Sequence, residues 1–194
     1  LKRGLTEEIS EEFKLGYVGA EWEGLTQLLK SKGAPLQEAD SLGLVRRRKD
    51  AGQTGYFDLF RERLMFPILN PNQEVIGFGG RILGDGQPKY LNSPESPVFH
   101  KGSSLYGLHT TAKYIRADDS VIIVEGYMDL IALYANGIKN VVATLGTALT
   151  PEHAKLITKY TKNVIVCLMA MVLAKPPLVE VCRYCLRKDY LLED

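Results

Sequence analysis

The sequence lacks the long apolar stretch that a membrane-spanning or secreted chain needs. No run in its 194 residues approaches about 18 consecutive apolar positions, and no apolar segment opens the chain. Three cysteines, an odd number, do not provide a disulfide framework. The chain also begins at Leu1 and not at a methionine. We therefore expect a soluble, cytoplasmic chain with no membrane partner, and one that is a fragment.

There is also no overall excess of charge, since 24 basic and 23 acidic side chains leave a net charge of +1. The distribution is nevertheless uneven. Residues 41–116 contain 11 basic and 6 acidic side chains, a net charge of +5, whereas residues 1–40 contain 5 and 8, a net charge of −3. A basic segment of this kind favours a polyanionic partner. For the run 46–49 alone, a solvated loop is an equally good interpretation.

The N-terminal part of the chain predicts helices followed by a β-hairpin. A first helix is expected from Thr6, its N-cap, to a stop at Gly16. A second contains Trp22 on its apolar face and ends at Gly33, and a short helical turn is expected to follow. Two apolar runs over residues 64–78, joined by turn residues, predict the hairpin.

From residue 121 onward the pattern is β-α-β-α-β. Three short apolar runs, at 121–124, 141–145 and 163–167, are typical of strands that are buried on both faces. Helices are predicted between them, over 127–136 and from 150 to about 162. This order predicts a parallel sheet with helices on its faces and ligand sites beyond the carboxyl ends of its strands.

Two acidic residues lie where such a site is expected. Glu125 directly follows the first predicted strand, and Asp129 comes four residues later, in the first turn of the next helix. Each carboxylate is either a metal ligand or acid–base group, or a charge that the helix dipole favours. The second interpretation explains Asp129 well and Glu125 less well, and position alone leaves Glu125 open.

The string VEGYMD at 124–129 resembles the first acidic motif of a Toprim domain, in the form that this motif has in bacterial DNA primases of the DnaG type. The resemblance extends over nearly the whole chain as far as Cys167. It includes, in order, FRERLMFPI at 60–68, VIGFGGR at 75–81, PKYLNSP at 88–94, FHKG at 99–102, LYGL at 105–108 and ATLGT at 143–147. One such string would be weak support, but several in the same order are specific.

This resemblance implies an α/β chain in two parts. Residues 1–118 are expected to form the basic, α+β N-terminal subdomain of a primase catalytic core. Residues 119–167 are expected to form a truncated Toprim domain, a Rossmann-like β-α-β-α-β unit. The implied activity is template-directed synthesis of short RNA primers from ribonucleoside triphosphates on single-stranded DNA during bacterial replication, by metal-dependent nucleotidyl transfer.

Two alternatives stay open beside that activity. Another Toprim enzyme, a topoisomerase or nuclease, would share the glutamate motif, but it should lack the strings at 75–81 and 88–94. A non-catalytic remnant could use the basic residues alone to bind single-stranded DNA.

The resemblance also implies cofactors and partners. Glu125 matches a ligand of Mg²⁺ or Mn²⁺, and Asp129 matches the second acid of the motif, in a supporting role. Zinc is expected only in a preceding module, and a replicative helicase would bind a following domain at the replication fork, as part of the primosome. Neither module is in these residues, and we expect a monomer.

Basic residues of the family face its acidic centre and hold template or nucleotide phosphates. The positions that match them here are Arg3, Arg81, Lys89 and Lys101. Arg81 follows three glycines, at 77, 79 and 80, which are expected to allow close approach of a ligand. Tyr90 is available to stack on a base and Asn92 to form a hydrogen bond.

The resemblance fails after the third predicted strand. A primase Toprim domain has an Asp-x-Asp-x-x-Gly motif there, whereas residues 168–175 are LMAMVLAK and the next acid is Glu180. From the third base of the Leu168 codon, the same nucleotides can encode Asp-Gly-Asp-Gly-Ala-Gly-Lys, if that codon ends in G and the Leu173 codon begins with C. We therefore interpret residues 168–194 as an out-of-frame tail and predict that the chain as written is catalytically inactive.

Overall fold

The computed structural model describes residues 5–48 and 54–167. Arg3 and the tail 168–194 lie outside the described residues, so the predictions about them stay predictions. The chain divides into two compact units. Among the described residues, the antiparallel unit comprises 10–48, 54–69 and 74–100, and the parallel unit comprises 5–9, 70–73 and 101–167.

The antiparallel unit contains the elements β1 (Gly16–Val18), α2 (Gly24–Ser31), α3 (Leu36–Ser41), β2 (Val45–Arg47), β3 (Tyr56–Asp58), β4 (Arg63–Leu69), β5 (Val75–Ile82) and β6 (Tyr90–Asn92), and a short helix α1 (Glu7–Glu12) precedes them in the chain. Four of the strands form one sheet in the order β1-β4-β5-β6, and β2 and β3 form a separate two-stranded sheet. The predicted hairpin is confirmed, since β4 and β5 pair antiparallel from Arg63↔Ile82 to Leu69↔Val75.

The first helix ends earlier than predicted. It stops at Glu12, and Lys14 adopts a left-handed conformation with φ of 53°. The amide of Leu15 then donates to the carbonyl of Ser10 (2.8 Å), which closes the helix end. Gly16 is therefore not the helix stop but the first residue of β1, opposite Met65. The glycine was a misleading signal because a non-glycine residue makes the turn.

The basic run that could have been a solvated loop is partly a strand. Val45–Arg47 pairs antiparallel with Tyr56–Asp58. Arg46 forms an ion pair with Asp40 (3.5 Å), and Arg48 forms one with Glu23 (3.0 Å). Two of these charges are thus used within the unit itself.

Two of the three glycines of β5 are explained by side chains of the same unit. A Cβ atom at Gly77 would lie 3.1 Å from the ring of Phe99, and one at Gly80 would lie 2.9 Å from both Phe60 and Arg63. Because Phe60 and Phe99 are buried, they have little room to move. At these two positions, close packing of the protein itself requires the absence of a side chain.

We predict that Gly80→Ala destabilises the chain by about 1–3 kcal/mol, because the added methyl overpacks against Phe60 and Arg63. Urea unfolding followed by circular dichroism measures the effect. Gly84→Ala is the matched control, since a Cβ there meets nothing within 4 Å. Equal stability of the two variants would contradict the packing explanation.

The parallel unit has the β-α-β-α-β order that the sequence predicts. Its strands β7 (Val121–Val124), β8 (Val141–Ala143) and β9 (Val164–Val166) are parallel, with β7 between the other two. Its helices are α4 (Leu108–Ala117), α5 (Tyr127–Ala135) and α6 (Pro151–Ile157). The last helix ends at Ile157, five residues before the predicted limit near 162.

Burial in the parallel unit follows the first two apolar runs. The third run was predicted to be buried on both faces, but β9 is only partly buried and Ile165 is 37% exposed. The residues of one buried cluster come from both strands and helices: Leu105, Leu108, Ile115, Val121, Ile123, Val142 and Ile157. This packing holds the carboxyl end of β7 against its neighbouring strands and so fixes the position of Glu125. None of the helices within the described residues is long and apolar enough to cross a membrane.

Candidate acidic site and nucleic-acid interface

Glu125 lies at the carboxyl end of the central strand β7, with an exposed side chain. The backbone around it is held by β8, since the amide of Thr144 donates to the carbonyl of Val124 (3.0 Å). Within the described residues the Glu125 carboxylate forms no ion pair. The position is therefore both fixed by the sheet and open to a ligand.

Asp129 is placed differently. It lies in the first turn of α5, where its carboxylate accepts a hydrogen bond from the amide of Gly126, the N-cap residue. A Cβ atom at Gly126 would lie 2.9 Å from Oδ2 of Asp129, so a larger residue there would require the carboxylate to shift. Burial raises the pKa of Asp129, and the Gly126 hydrogen bond opposes that rise. Asp129 thus forms a hydrogen bond with the turn that follows Glu125.

Buried tyrosines support the same turn. Tyr127, the first residue of α5, packs edge-on against Tyr106 with ring centroids 4.7 Å apart. Burial raises the pKa of both phenols, Tyr106 most strongly, which keeps the pair neutral. The chain on both sides of Gly126 is therefore anchored, on one side in the sheet and on the other in an aromatic contact.

The described residues offer few side chains that could bind a divalent ion together. They contain no group of three or more His, Cys, Asp or Glu side chains that could hold a metal. Mg²⁺ is commonly bound through only one or two carboxylates, with phosphates and water as its other ligands. Glu125, with Asp129 nearby in sequence, supplies this minimum of one or two carboxylates.

We predict that Asp129→Asn stabilises the chain at pH 7. Because burial raises the pKa of Asp129, the ionised carboxylate is less favourable in the folded state than in the unfolded state. The folded state is therefore destabilised at any pH above the folded-state pKa. Below the unfolded-state pKa both states are protonated, and the destabilisation disappears. The gain should therefore shrink as the pH falls through both values, which thermal unfolding at several pH values can measure. Glu152→Gln, on the exposed first turn of α6, is the charge-matched control. A gain that is independent of pH would contradict this explanation.

Four of the predicted binding residues lie together on the β5–β6 pair. Arg81 is directly opposite Tyr90 in the register, and its guanidinium carbon lies 5.9 Å from the Tyr90 ring centroid. Asn92 is opposite Gly79, and the exposed Lys89 immediately precedes β6. The Nε of Arg81 is buried and has no hydrogen-bond partner within the described residues. This pair of strands therefore presents two cations, an exposed aromatic ring and an amide.

Lys101 lies in the other unit, in a 3₁₀ turn formed by Lys101–Ser103. His153, which is fully buried, anchors that turn: its Nε2 lies 2.9 Å from the carbonyl oxygen of Lys101 and 3.1 Å from that of Ser104. Its Nδ1 accepts from the amide of Thr150 (3.3 Å), so Nε2 carries the proton and donates to the carbonyls. The amide of His153 in turn donates to the hydroxyl of Thr150 (3.1 Å), which completes a capping box at the start of α6. The same histidine therefore caps α6 and positions the Lys101 turn.

The structure shows a groove that the sequence patterns did not indicate. Trp22 was expected on the apolar face of a helix, but it precedes α2 and is 57% exposed. The Arg61 guanidinium carbon lies 3.9 Å from the Trp22 ring centroid and 5.6 Å from that of Phe57. Together with Arg63, Pro88 and Leu91 these side chains line a groove of about 400 Å³.

Main-chain carbonyls hold the side chain of Arg63 in the lining of the groove. It is buried, and its guanidinium donates to the carbonyls of Gly80 (3.3 Å) and Pro88 (2.9 Å). Burial, with a smaller contribution from the charge of Arg61, lowers the pKa of Arg63. The sequence features that could have indicated this groove are the single tryptophan of the chain and the two arginines of FRER at 60–63. Their spacing in the sequence does not predict that they lie close together.

Comparison with known proteins identifies the family of the chain. Residues 1–112 match the family described as DNA primase catalytic core, N-terminal domain, and residues 119–170 match the Toprim domain. The chain belongs to the DNA primase family. The family match confirms the resemblance to primases of the DnaG type. The Toprim match implies, in general, a centre that binds divalent metal.

Individual relatives support the assignment over the same region. The DNA primase of Pseudomonas aeruginosa is 46% identical over 165 residues, which are 85% of this chain and 24% of that protein. The DNA primase of Halalkalibacterium halodurans is 43% identical over 166 residues, 86% of this chain and 27% of that protein. This chain therefore spans about a quarter of the length of these curated relatives.

Solved structures resemble the fold described above. The structure of the DnaG primase catalytic domain bound to ssDNA has a TM-score of 0.77 and 43% identity, over 86% of this chain and 53% of that one. A DNA primase domain from Pseudomonas aeruginosa has a TM-score of 0.76 and 46% identity, over 86% and 52%.

Proposed function

We propose that this chain is the first part of a primase catalytic core, and that it binds single-stranded DNA through its antiparallel unit. The whole enzyme would make short RNA primers on that template from ribonucleoside triphosphates, at the replication fork in the bacterial cytoplasm. It would act as a monomer and meet a replicative helicase through a domain outside this sequence. The observation that carries the proposal is the exposed Trp22 with Arg61 stacked on it.

The Trp22 groove has the chemistry of a single-strand site. Aromatic rings stack on bases of any sequence, and cations beside them contact the phosphates. Trp22 and Phe57, with ring centroids 5.8 Å apart, supply the rings, and Arg61 supplies the cation. A relative with 43% identity has been solved with ssDNA bound. The basic excess over residues 41–116 adds a sequence-independent attraction.

The β5–β6 pair would make a second set of contacts to phosphates. A guanidinium binds phosphate through two parallel hydrogen bonds, and Arg81 has an Nε donor with no partner among the described residues. Lys89 adds a point charge, Tyr90 a ring for stacking and Asn92 a hydrogen-bonding amide. Lys101, on its anchored turn, and Arg3 would contribute further cations.

Glu125 would be the carboxylate that holds Mg²⁺ or Mn²⁺, together with nucleotide phosphates and water. When bound, such an ion neutralises charge on the attacking and leaving oxygens of phosphoryl transfer. Asp129 would act as a positioning residue, because its carboxylate is bonded to the Gly126 amide and so holds the turn after Glu125. We expect zinc only in a module that precedes this core.

We predict that single-strand binding depends on the groove. Trp22→Ala should weaken the binding of a fluorescein-labelled oligo(dT) by about tenfold, because it removes one stacking platform worth about 1–3 kcal/mol. Arg61→Gln should weaken binding and reduce its salt dependence by about one phosphate contact. Fluorescence anisotropy across a salt series measures both effects.

Lys30→Gln is the matched control for the loss of charge, since Lys30 is exposed on α2 of the same unit. It should leave affinity within about twofold of the unchanged chain. If Trp22→Ala and Arg61→Gln bind like this control, the groove is not the single-strand site.

We further predict that the chain as written makes no primers, because the part of the Toprim domain before the tail holds Glu125 without the Asp-x-Asp motif. A primer-synthesis assay with single-stranded template, ribonucleoside triphosphates and Mg²⁺ or Mn²⁺ tests this. Metal-dependent synthesis that Glu125→Gln abolishes would contradict it. Sequencing the DNA across codons 163–180 tests the cause, and a Leu168 codon that does not end in G would refute the frame-slip hypothesis.

A further inference from the structure

Two lysines and two tyrosines form a cluster on the parallel unit that the primase assignment does not use. Lys113 and Tyr114 lie on α4, Tyr134 lies on α5, and Lys139 follows α5 and precedes β8. We call them the lysine–tyrosine cluster. Because Lys139 precedes the amino end of β8 and Glu125 follows the carboxyl end of β7, the cluster and the acidic site belong to opposite ends of the parallel sheet.

The two ammonium groups converge on one ring. The Nζ of Lys113 lies 4.8 Å from the Tyr114 ring centroid, and the Nζ of Lys139 lies 5.1 Å from the same centroid. Lys139 is also 5.2 Å from the ring of Tyr134, which is buried and packs edge-on against Tyr114 at 6.0 Å. Tyr134 therefore fixes the ring around which both cations gather.

Neither Lys113 nor Lys139 forms an ion pair with a carboxylate among residues 5–48 and 54–167. Both ammonium groups lie about 5 Å from one centroid, so their separation does not exceed about 10 Å, the Debye length at 0.1 M salt. Two like charges at that separation repel each other, and an anion between them would reverse the sign of the interaction.

The Tyr114 phenol already responds to this environment. The pKa of Tyr114 lies below its usual value, first because of the hydrogen bond from Tyr134 and then because of Lys113 and Lys139, while burial opposes the shift. The groups around the phenol oxygen thus favour negative charge at that place. Tyr114 is only partly buried, so a solvent-borne anion can reach it.

We propose that the lysine–tyrosine cluster is a binding site for a phosphate group, held by Lys113, Lys139 and the hydroxyl of Tyr114. A free phosphate or phosphomonoester carries between one and two negative charges at neutral pH, and a backbone phosphodiester carries one. Each has strong acceptor oxygens, which match two ammonium groups and one hydroxyl. The phosphate can belong to a free anion or nucleotide, or to a nucleic-acid backbone. Cation–aromatic contacts hold the lysines near the ring before the ligand arrives.

The test is an NMR titration of the ¹⁵N-labelled 194-residue chain. One arm uses inorganic phosphate, and a second uses an oligo(dT) without terminal phosphate, at matched ionic strength. We expect saturable shifts in the amides of residues 112–116 and 137–140 in at least one arm. Shifts with inorganic phosphate identify a free-anion site, and shifts only with oligo(dT) identify a backbone site. No saturable shift of these amides in either arm overturns the proposal.

Three variants connect the shifts to the cluster. Lys113→Gln combined with Lys139→Gln should weaken binding by about tenfold or more, since two charge-assisted contacts are lost. Tyr114→Phe keeps the ring and both lysines and should weaken it by about threefold. Lys155→Gln, an exposed position on α6 of the same unit, is the control and should bind like the unchanged chain.

Undiminished binding by the double lysine variant would overturn the proposal, as would equal weakening by Lys155→Gln, which would indicate nonspecific attraction. Trp22→Ala lies in the other unit and should leave the shifts caused by inorganic phosphate unchanged. The inorganic-phosphate arm is therefore independent of whether the Trp22 groove binds single-stranded DNA.

Discussion

Much of the antiparallel unit depends on Asp58, a carboxylate that is only 2% exposed. Its oxygens accept hydrogen bonds from the amides of Leu25 (2.7 Å) and Thr26 (2.8 Å) and from the hydroxyl of Thr26 (2.7 Å). A buried carboxylate is stable only with such partners, and each hydrogen bond to a charged group contributes about 1.5–3 kcal/mol. Asp58 therefore joins β3 to the start of α2.

The Trp22 groove follows from the same residue. The backbone amide of Asp58 donates to the carbonyl of Trp22 (2.8 Å), and its carbonyl accepts from the guanidinium of Arg61. The main-chain amide of Asp58 therefore holds Trp22, and the main-chain carbonyl of Asp58 holds Arg61. An exposed tryptophan of this kind is preorganised, so little conformational entropy would be lost when a base stacks on it.

The parallel unit is organised by burial instead. Its strands are short apolar runs, and packing between them and their helices places Glu125 at the carboxyl end of the central strand. That position was predictable from the sequence, because the strand order β-α-β-α-β by itself puts ligand sites at that edge. The role of Asp129 was less predictable, since only the structure shows its hydrogen bond to Gly126. The same applies to His153, whose partners Lys101 and Ser104 are about 50 residues away.

Local patterns in the sequence determined the hairpin, the three parallel strands and the position of Glu125, because alternation, apolar runs and caps act over a few residues. They did not determine the end of α1, the strand at 45–47 or the exposure of Trp22, because long-range pairing decides each of these. Gly16 pairs with Met65, and Arg46 pairs with Phe57. The Trp22 groove and the lysine–tyrosine cluster exist only in the tertiary structure, since each brings together residues from separate elements that no sequence period connects.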